Sequence, residues 1–123
     1  MNDMKNKTMR HRLGFAWAGI AAAWRNERSF RIQTAFAIAL PAALLLLRVS
    51  AVWWAICLII ALLVLAAELF NTALESLIDH LHPEIHPAIK TAKDCAAGAV
   101  LLLSAGALIV GIIVVLVALD VLS

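Results

Sequence analysis

The stretch Val52–Asp79 reads VWWAICLIIALLVLAAELFNTALESLID. Its first sixteen residues, Val52–Ala67, carry no charge, and the next twelve hold Glu68, Asn71, Glu75 and Asp79. The first part is apolar on every helical face, a pattern that belongs inside a membrane or a large core. Counted from Val49, the uncharged run to Ala67 is nineteen residues long, within the roughly 17–25 that cross a hydrocarbon layer. The crossing then ends in a row of acids, which needs an explanation.

The flanking sequence supplies two more apolar runs. Ile32–Leu47 is sixteen uncharged residues and Cys95–Leu119 is twenty-five. The first is short and contains Pro41, which a membrane helix accommodates as a kink when neighbours satisfy the freed carbonyl. Hydrophobic residues make up 64% of the 123, and mean hydropathy is +0.96. A soluble domain is about 45–50% apolar, so the bilayer must solvate most of this chain. The length fits one domain over residues 1–123, with transmembrane helices predicted at about 32–49, 51–79 and 92–120.

Upstream, Leu13, Trp17, Ile20 and Trp24 step by four, three and four residues. That stripe predicts an amphipathic helix at about 10–29. Arg10, Arg12, Arg25, Arg28 and Arg31 lie in or beside it. Tryptophan on one side with arginine nearby describes a helix in the headgroup plane; the alternative is a helix packed on its own protein. The expected fold is an all-α membrane protein of three transmembrane helices plus an N-terminal surface helix.

Orientation follows from lysine and arginine counts. Seven precede the first crossing (Lys5, Lys7, Arg10, Arg12, Arg25, Arg28, Arg31). Arg48 alone lies between the first and second crossings, Lys90 and Lys93 lie between the second and third, and none follows. This predicts a cytoplasmic N-terminus and an outside C-terminus. The polar start MNDMKNKTMRHR predicts no cleaved signal peptide. The net charge of +2 is too small to argue for nucleic acid. Cys57 and Cys95, both in apolar segments, read as small buried hydrophobes and not as a disulfide or zinc pair.

On a helix turning about 100° per residue, Glu68, Asn71, Glu75 and Asp79 share one arc of about 80°. Acids at a membrane boundary are costly unless paired, hydrated or holding a metal. Two of them two turns apart suit divided labour: the deeper one as a base, the other as an oxygen ligand for Mg²⁺. The alternative is that they pair with basic residues of neighbouring helices and only hold the bundle together. Glu27, among the three arginines Arg25, Arg28 and Arg31, either neutralises Arg28 or Arg31 or joins as a further metal ligand. Lys93 and Asp94 stand just before the third crossing. Lys93 either reaches a phosphate or snorkels at the boundary. His80, His82 and His86 with Asp79 and Glu84 match no zinc spacing and read as capping and surface residues. There is no GxxxxGKS/T loop and no GxGxxG. The run Ala96–Ala99 is small enough for close helix approach, within the bundle or between subunits. An ion or proton carrier would need polar groups deep in the bilayer, which the first and third runs scarcely offer.

The segments AAELFNTALE (Ala66–Glu75), PEIHPAIKTAKDCAAGAVLL (Pro83–Leu102) and NERSFRIQ (Asn26–Gln33) resemble the prokaryotic diacylglycerol kinase family, which includes undecaprenol kinase. The resemblance runs from about Gly14 to the end of the third crossing. It implies a homotrimer with sites between subunits at the cytoplasmic boundary. It also implies transfer of the γ-phosphoryl group of ATP, with Mg²⁺, to a lipid hydroxyl. By the same resemblance Glu68 is the catalytic base, also touching the lipid, and Glu27 and Glu75 hold the metal. Asn71, Glu84, His86, Lys93 and Asp94 join Glu27 and Glu75 around the nucleotide. Phe30, Arg31 and Gln33 lie near the lipid headgroup. The chain departs from the enteric members in having Phe15-Ala16 where they have Tyr-Ser before the tryptophan, and Arg10 and Arg12 both match the family's N-terminal arginine. AAELFNTA and AKDCAAGAVLL are closer to the undecaprenol kinase branch, which favours undecaprenol over diacylglycerol. The reading outside this class is a non-catalytic membrane assembly protein.

Overall fold

A computed structural model describes residues 8–122. Lys5 and Lys7, used in the orientation argument, lie outside them. The described residues form four helices and no strand. These are α1 (Met9–Asn26), α2 (Arg28–Leu47), α3 (Ala51–Leu81) and α4 (Pro87–Ala118). The last three are long and apolar enough to cross a membrane.

Each boundary has a local cause. Glu27 alone separates α1 from α2; its backbone is extended, at φ −119° and ψ 110°. The first helix therefore stops at Asn26 rather than at 29, and α2 begins at Arg28 rather than at 32. Pro41 lies inside an unbroken α2. Its missing N–H leaves one carbonyl a turn earlier without the usual partner. Arg48 closes α2 in the left-handed conformation, φ 55° and ψ 42°, with its N–H on the carbonyls of Leu44 and Leu45. That Schellman-like stop turns the chain in three residues. Leu81 ends α3 just before Pro83, and Pro87 opens α4 at the first helical position, where proline costs no hydrogen bond. Counting apolar residues places this start near 92, because Ala88–Asp94 are helical but mixed in character.

The three long helices run alternately, with α3 packed most extensively on α4 and next on α2. One end holds a small apolar core of Leu44, Cys57 and Val114, flanked by Trp53, Trp54 and Val110. The opposite end gathers the start of α2, the end of α3 and the start of α4. Between them Gln33 Nε2 donates to Ser104 Oγ at 3.1 Å, joining α2 to α4. The first and third spans thus carry one polar pair, which their composition alone left out.

Much of the apolar surface is uncovered. Phe36, Leu46 and Leu102 are 71%, 84% and 76% exposed. Such a surface needs lipid or protein around it. On α1 the tryptophan stripe also faces outward, with Trp17 70% exposed, whereas Ala23 is buried. The small-residue side of α1 therefore packs on the bundle. Gly98 makes no close approach within the chain: a Cβ there would meet nothing within 4 Å.

Candidate active site

The length of α3 explains where its acids sit. Thirty-one residues at about 1.5 Å each make a helix of about 46 Å, longer than the roughly 30 Å hydrocarbon layer. Glu68 lies about 25 Å from Ala51 along the axis, so it falls near the far boundary of that layer. Asn71, Glu75 and Asp79 continue past it on the same face.

Glu68 is the one buried polar or charged residue among those described, at 2% exposure. Ser29 Oγ, in the first turn of α2, donates to Glu68 Oε2 at 2.8 Å. Glu68 Oε1 is buried without a hydrogen-bond partner among the described residues, as are Asn71 Oδ1 and Thr72 Oγ1. Among the described residues neither Glu68 nor Glu75 is in an ion pair. A buried carboxylate without a cation is expensive, and three unpartnered oxygens on adjacent turns form a surface for a donor or a cation. Asn71 Nδ2 approaches Glu75 Oε1 at 3.4 Å, a long contact that leaves Glu75 largely free.

α1 lies against both α2 and α3. Trp17, Ile20, Trp24, Phe30, Leu65 and Leu69 line an apolar groove of about 590 Å³ there. Phe30 is buried. Arg31 Nη1 donates to the carbonyl oxygens of Trp24 and Arg25 at 2.7 and 3.2 Å. It thereby caps the end of α1 and braces the corner at Glu27. Glu27 is half-buried and pairs with neither Arg28 nor Arg31.

The remaining candidates lie farther along. Lys93 Nζ donates to Asp79, so the last acid of the stripe already holds the lysine beside it. Lys90 Nζ donates to Asp94 Oδ2 at 2.6 Å. His86 Nδ1 accepts from the N–H of Ala88 and caps α4. His82 Nδ1 bonds the carbonyl of Glu84 at 3.1 Å, which orders the α3–α4 loop. One chain thus joins Ser29 with Glu68, Asn71 with Glu75, and Lys93 with Asp79. It gathers no group of three or more His, Cys, Asp or Glu side chains able to hold a metal among the described residues. Ser29 and Thr72 carried no sequence signal: a hydroxyl near a helix start or on a helix face looks the same whether or not a distant carboxylate meets it.

The two ion pairs among the described residues lie at the surface, with Lys93 alone half-buried, and such pairs contribute little to stability. Asp79→Asn is expected to leave the thermal midpoint in detergent near that of the unsubstituted protein. A thermal melt of the two proteins side by side checks it.

These features define a membrane protein of three spans whose polar site lies at one end of the bundle. The model of the prokaryotic diacylglycerol kinase family matches residues 14–115, and the chain belongs to that family. It is 45% identical over 98 residues to a diacylglycerol kinase of Synechocystis sp., covering 79% of this chain and 56% of that protein. The chain thus spans little more than half of that relative's length. It is 34% identical over 116 residues to an undecaprenol kinase of Bacillus subtilis, covering 93% and 94% of the two chains. Against a diacylglycerol kinase of Escherichia coli it is 34% identical over 90 residues, covering 72% and 73%.

Proposed function

We propose that this protein is a lipid kinase that transfers the γ-phosphoryl group of ATP to the hydroxyl of a membrane lipid. The observation that carries the reading is Glu68: a carboxylate 2% exposed that, among the described residues, has no cation beside it and one oxygen unpartnered. Glue between helices would pair it. A base for a lipid alcohol needs that free oxygen.

The step balances simply. Glu68 Oε1 takes the proton of the lipid hydroxyl as that oxygen bonds the γ-phosphorus. The bond from the γ-phosphorus to the bridging oxygen breaks, and ADP leaves with the electron pair. Phosphoryl transfer depends on positioning and charge neutralisation more than on covalent help. Lys93 would exchange Asp79 for a phosphate oxygen. Asn71, Asp94, Glu84 and His86 would surround the nucleotide. The groove beside Trp17, Trp24 and Phe30 would hold the start of the lipid chain, with Arg31 bracing its wall and Gln33 lying deeper.

The donor set suits Mg²⁺: Glu75 offers carboxylate oxygen and Asn71 Oδ1 is unpartnered. Mg²⁺ is ordinarily held by one or two carboxylates plus substrate phosphates, so three protein acids are not required. Glu75 and Glu27 would hold it, and bound there it would neutralise charge on the phosphates. The family resemblance supports a homotrimer in which subunits complete one another's sites, with the exposed apolar faces shared between lipid and neighbouring subunits. With the N-terminus cytoplasmic, in the bacterial inner membrane, the site opens towards ATP.

Undecaprenol is the favoured acceptor, supported by the AAGAV segment (Ala96–Val100) within α4 and the nearly end-to-end match to an undecaprenol kinase. Diacylglycerol is the second reading, supported by the 45% identity to a diacylglycerol kinase. Purified protein in mixed micelles with ATP and Mg²⁺, given each lipid separately, decides between them. A kcat/KM at least about tenfold higher for undecaprenol is expected; the reverse order reassigns the substrate.

A further inference from the structure

Resting on the lipid-kinase reading, we propose that Ser29 is a positioning residue that selects which oxygen of Glu68 takes the lipid's proton. Ser29 lies within NERSFRIQ, yet no role falls to it from that motif. In the structure its hydroxyl is the hydrogen-bond donor to Glu68, at 2.8 Å, reaching across from α2 to α3.

A carboxylate so deeply buried needs donors. Glu68 has one among the described residues, and it engages Oε2 alone. That contact stops the carboxylate from rotating and leaves Oε1 as the free acceptor. It also sets Glu68 against the first turn of α2, where unsatisfied N–H groups favour negative charge. Ser29 sits two residues after the Glu27 corner, so the break between α1 and α2 determines where its hydroxyl points. The corner braced by Arg31 therefore sets the aim of the base. Without the hydroxyl, Glu68 keeps its burial but loses its fixed rotamer, and the lipid oxygen meets a misaligned base.

Removing a residue that orients a reactive group typically lowers activity about 10–100-fold. Ser29→Ala is expected to lower kcat by that factor, with the KM for ATP and for lipid nearly unchanged and the thermal midpoint preserved. Ser29→Thr restores the donor and is expected to recover most of kcat, because Ser29 is exposed enough for an added methyl group. The experiment compares the unsubstituted protein, Ser29→Ala and Ser29→Thr in the same micelles, reading kcat, both KM values and the melt. A kcat for Ser29→Ala equal to that of the active unsubstituted protein overturns the proposal and leaves the kinase reading intact. So does equal impairment of the alanine and threonine variants, or a loss confined to KM or to stability. An unsubstituted protein that folds but transfers no phosphate removes the kinase reading, and the role of Ser29 with it.

Discussion

Glu68→Gln is expected to remove lipid phosphorylation, lowering kcat by about 10²–10⁴-fold, the span associated with a general base. The substitution keeps the shape of the side chain and takes away its proton affinity. Its effect on stability should run the other way. Glu68 is buried and, among the described residues, has one donor and no cation and leaves Oε1 unpartnered. Replacing an uncompensated buried charge by a neutral isostere is often neutral or stabilising. The thermal midpoint in detergent should therefore hold or rise while activity is lost. A functional carboxylate held at a cost to stability gives that divergence. An acid that serves only as helix glue predicts a lower midpoint instead.

Glu75→Gln is the second large effect. Among the described residues Glu75 has a single long contact, from Asn71 at 3.4 Å, and no ion pair. Glutamine can keep that contact, so an assembly protein would tolerate the change. A kinase that holds Mg²⁺ through Glu75 would not. Loss of one charge-neutralising group at a developing anion costs about 10²–10³-fold in kcat. We expect a loss of that order, together with a higher Mg²⁺ concentration for half-maximal activity and an unchanged melt. A Mg²⁺ titration of the two proteins side by side separates the outcomes. An unaltered Mg²⁺ requirement would take Glu75 out of the metal site.

Local patterns in the sequence carried much of this site. The uncharged run before Glu68 and the spacing of Asn71, Glu75 and Asp79 are properties of one helix, and helical periodicity translates them directly into a face. The stop after Leu81 was visible in Pro83 and Pro87. Less legible were features that depend on two segments. The contact of Ser29 with Glu68 joins residues 39 apart, and Gln33 with Ser104 joins residues 71 apart. The resemblance puts Arg31 near the lipid headgroup, but nothing local shows that its guanidinium meets the carbonyls of Trp24 and Arg25. Lys93 reads as a phosphate contact or a snorkelling boundary lysine, and its spacing does not show that Asp79 holds it. The tryptophan stripe of α1 marks an amphipathic helix, but its spacing does not show that Ala23 is the side that packs inward. The early start of α4 was hidden for another reason. Apolar counting finds the part of a helix that lies in lipid, not the polar turns that extend beyond it.

Those polar turns place Lys93 beside Asp79 at the end of the bundle where Glu68 is buried. A soluble nucleotide and a membrane-bound alcohol could meet there, each approaching from its own solvent. The central claim is that they react there. Its most direct test is transfer of the labelled γ-phosphoryl group of ATP, with Mg²⁺, by the purified full chain in mixed micelles containing undecaprenol or diacylglycerol. A cooperative melt would establish that the same sample is folded. The account predicts a labelled lipid phosphate from at least one of the two, absent when Glu68→Gln replaces the unsubstituted protein. Folded protein that labels neither lipid would contradict it, and the acidic stripe would then be a pairing surface for other helices.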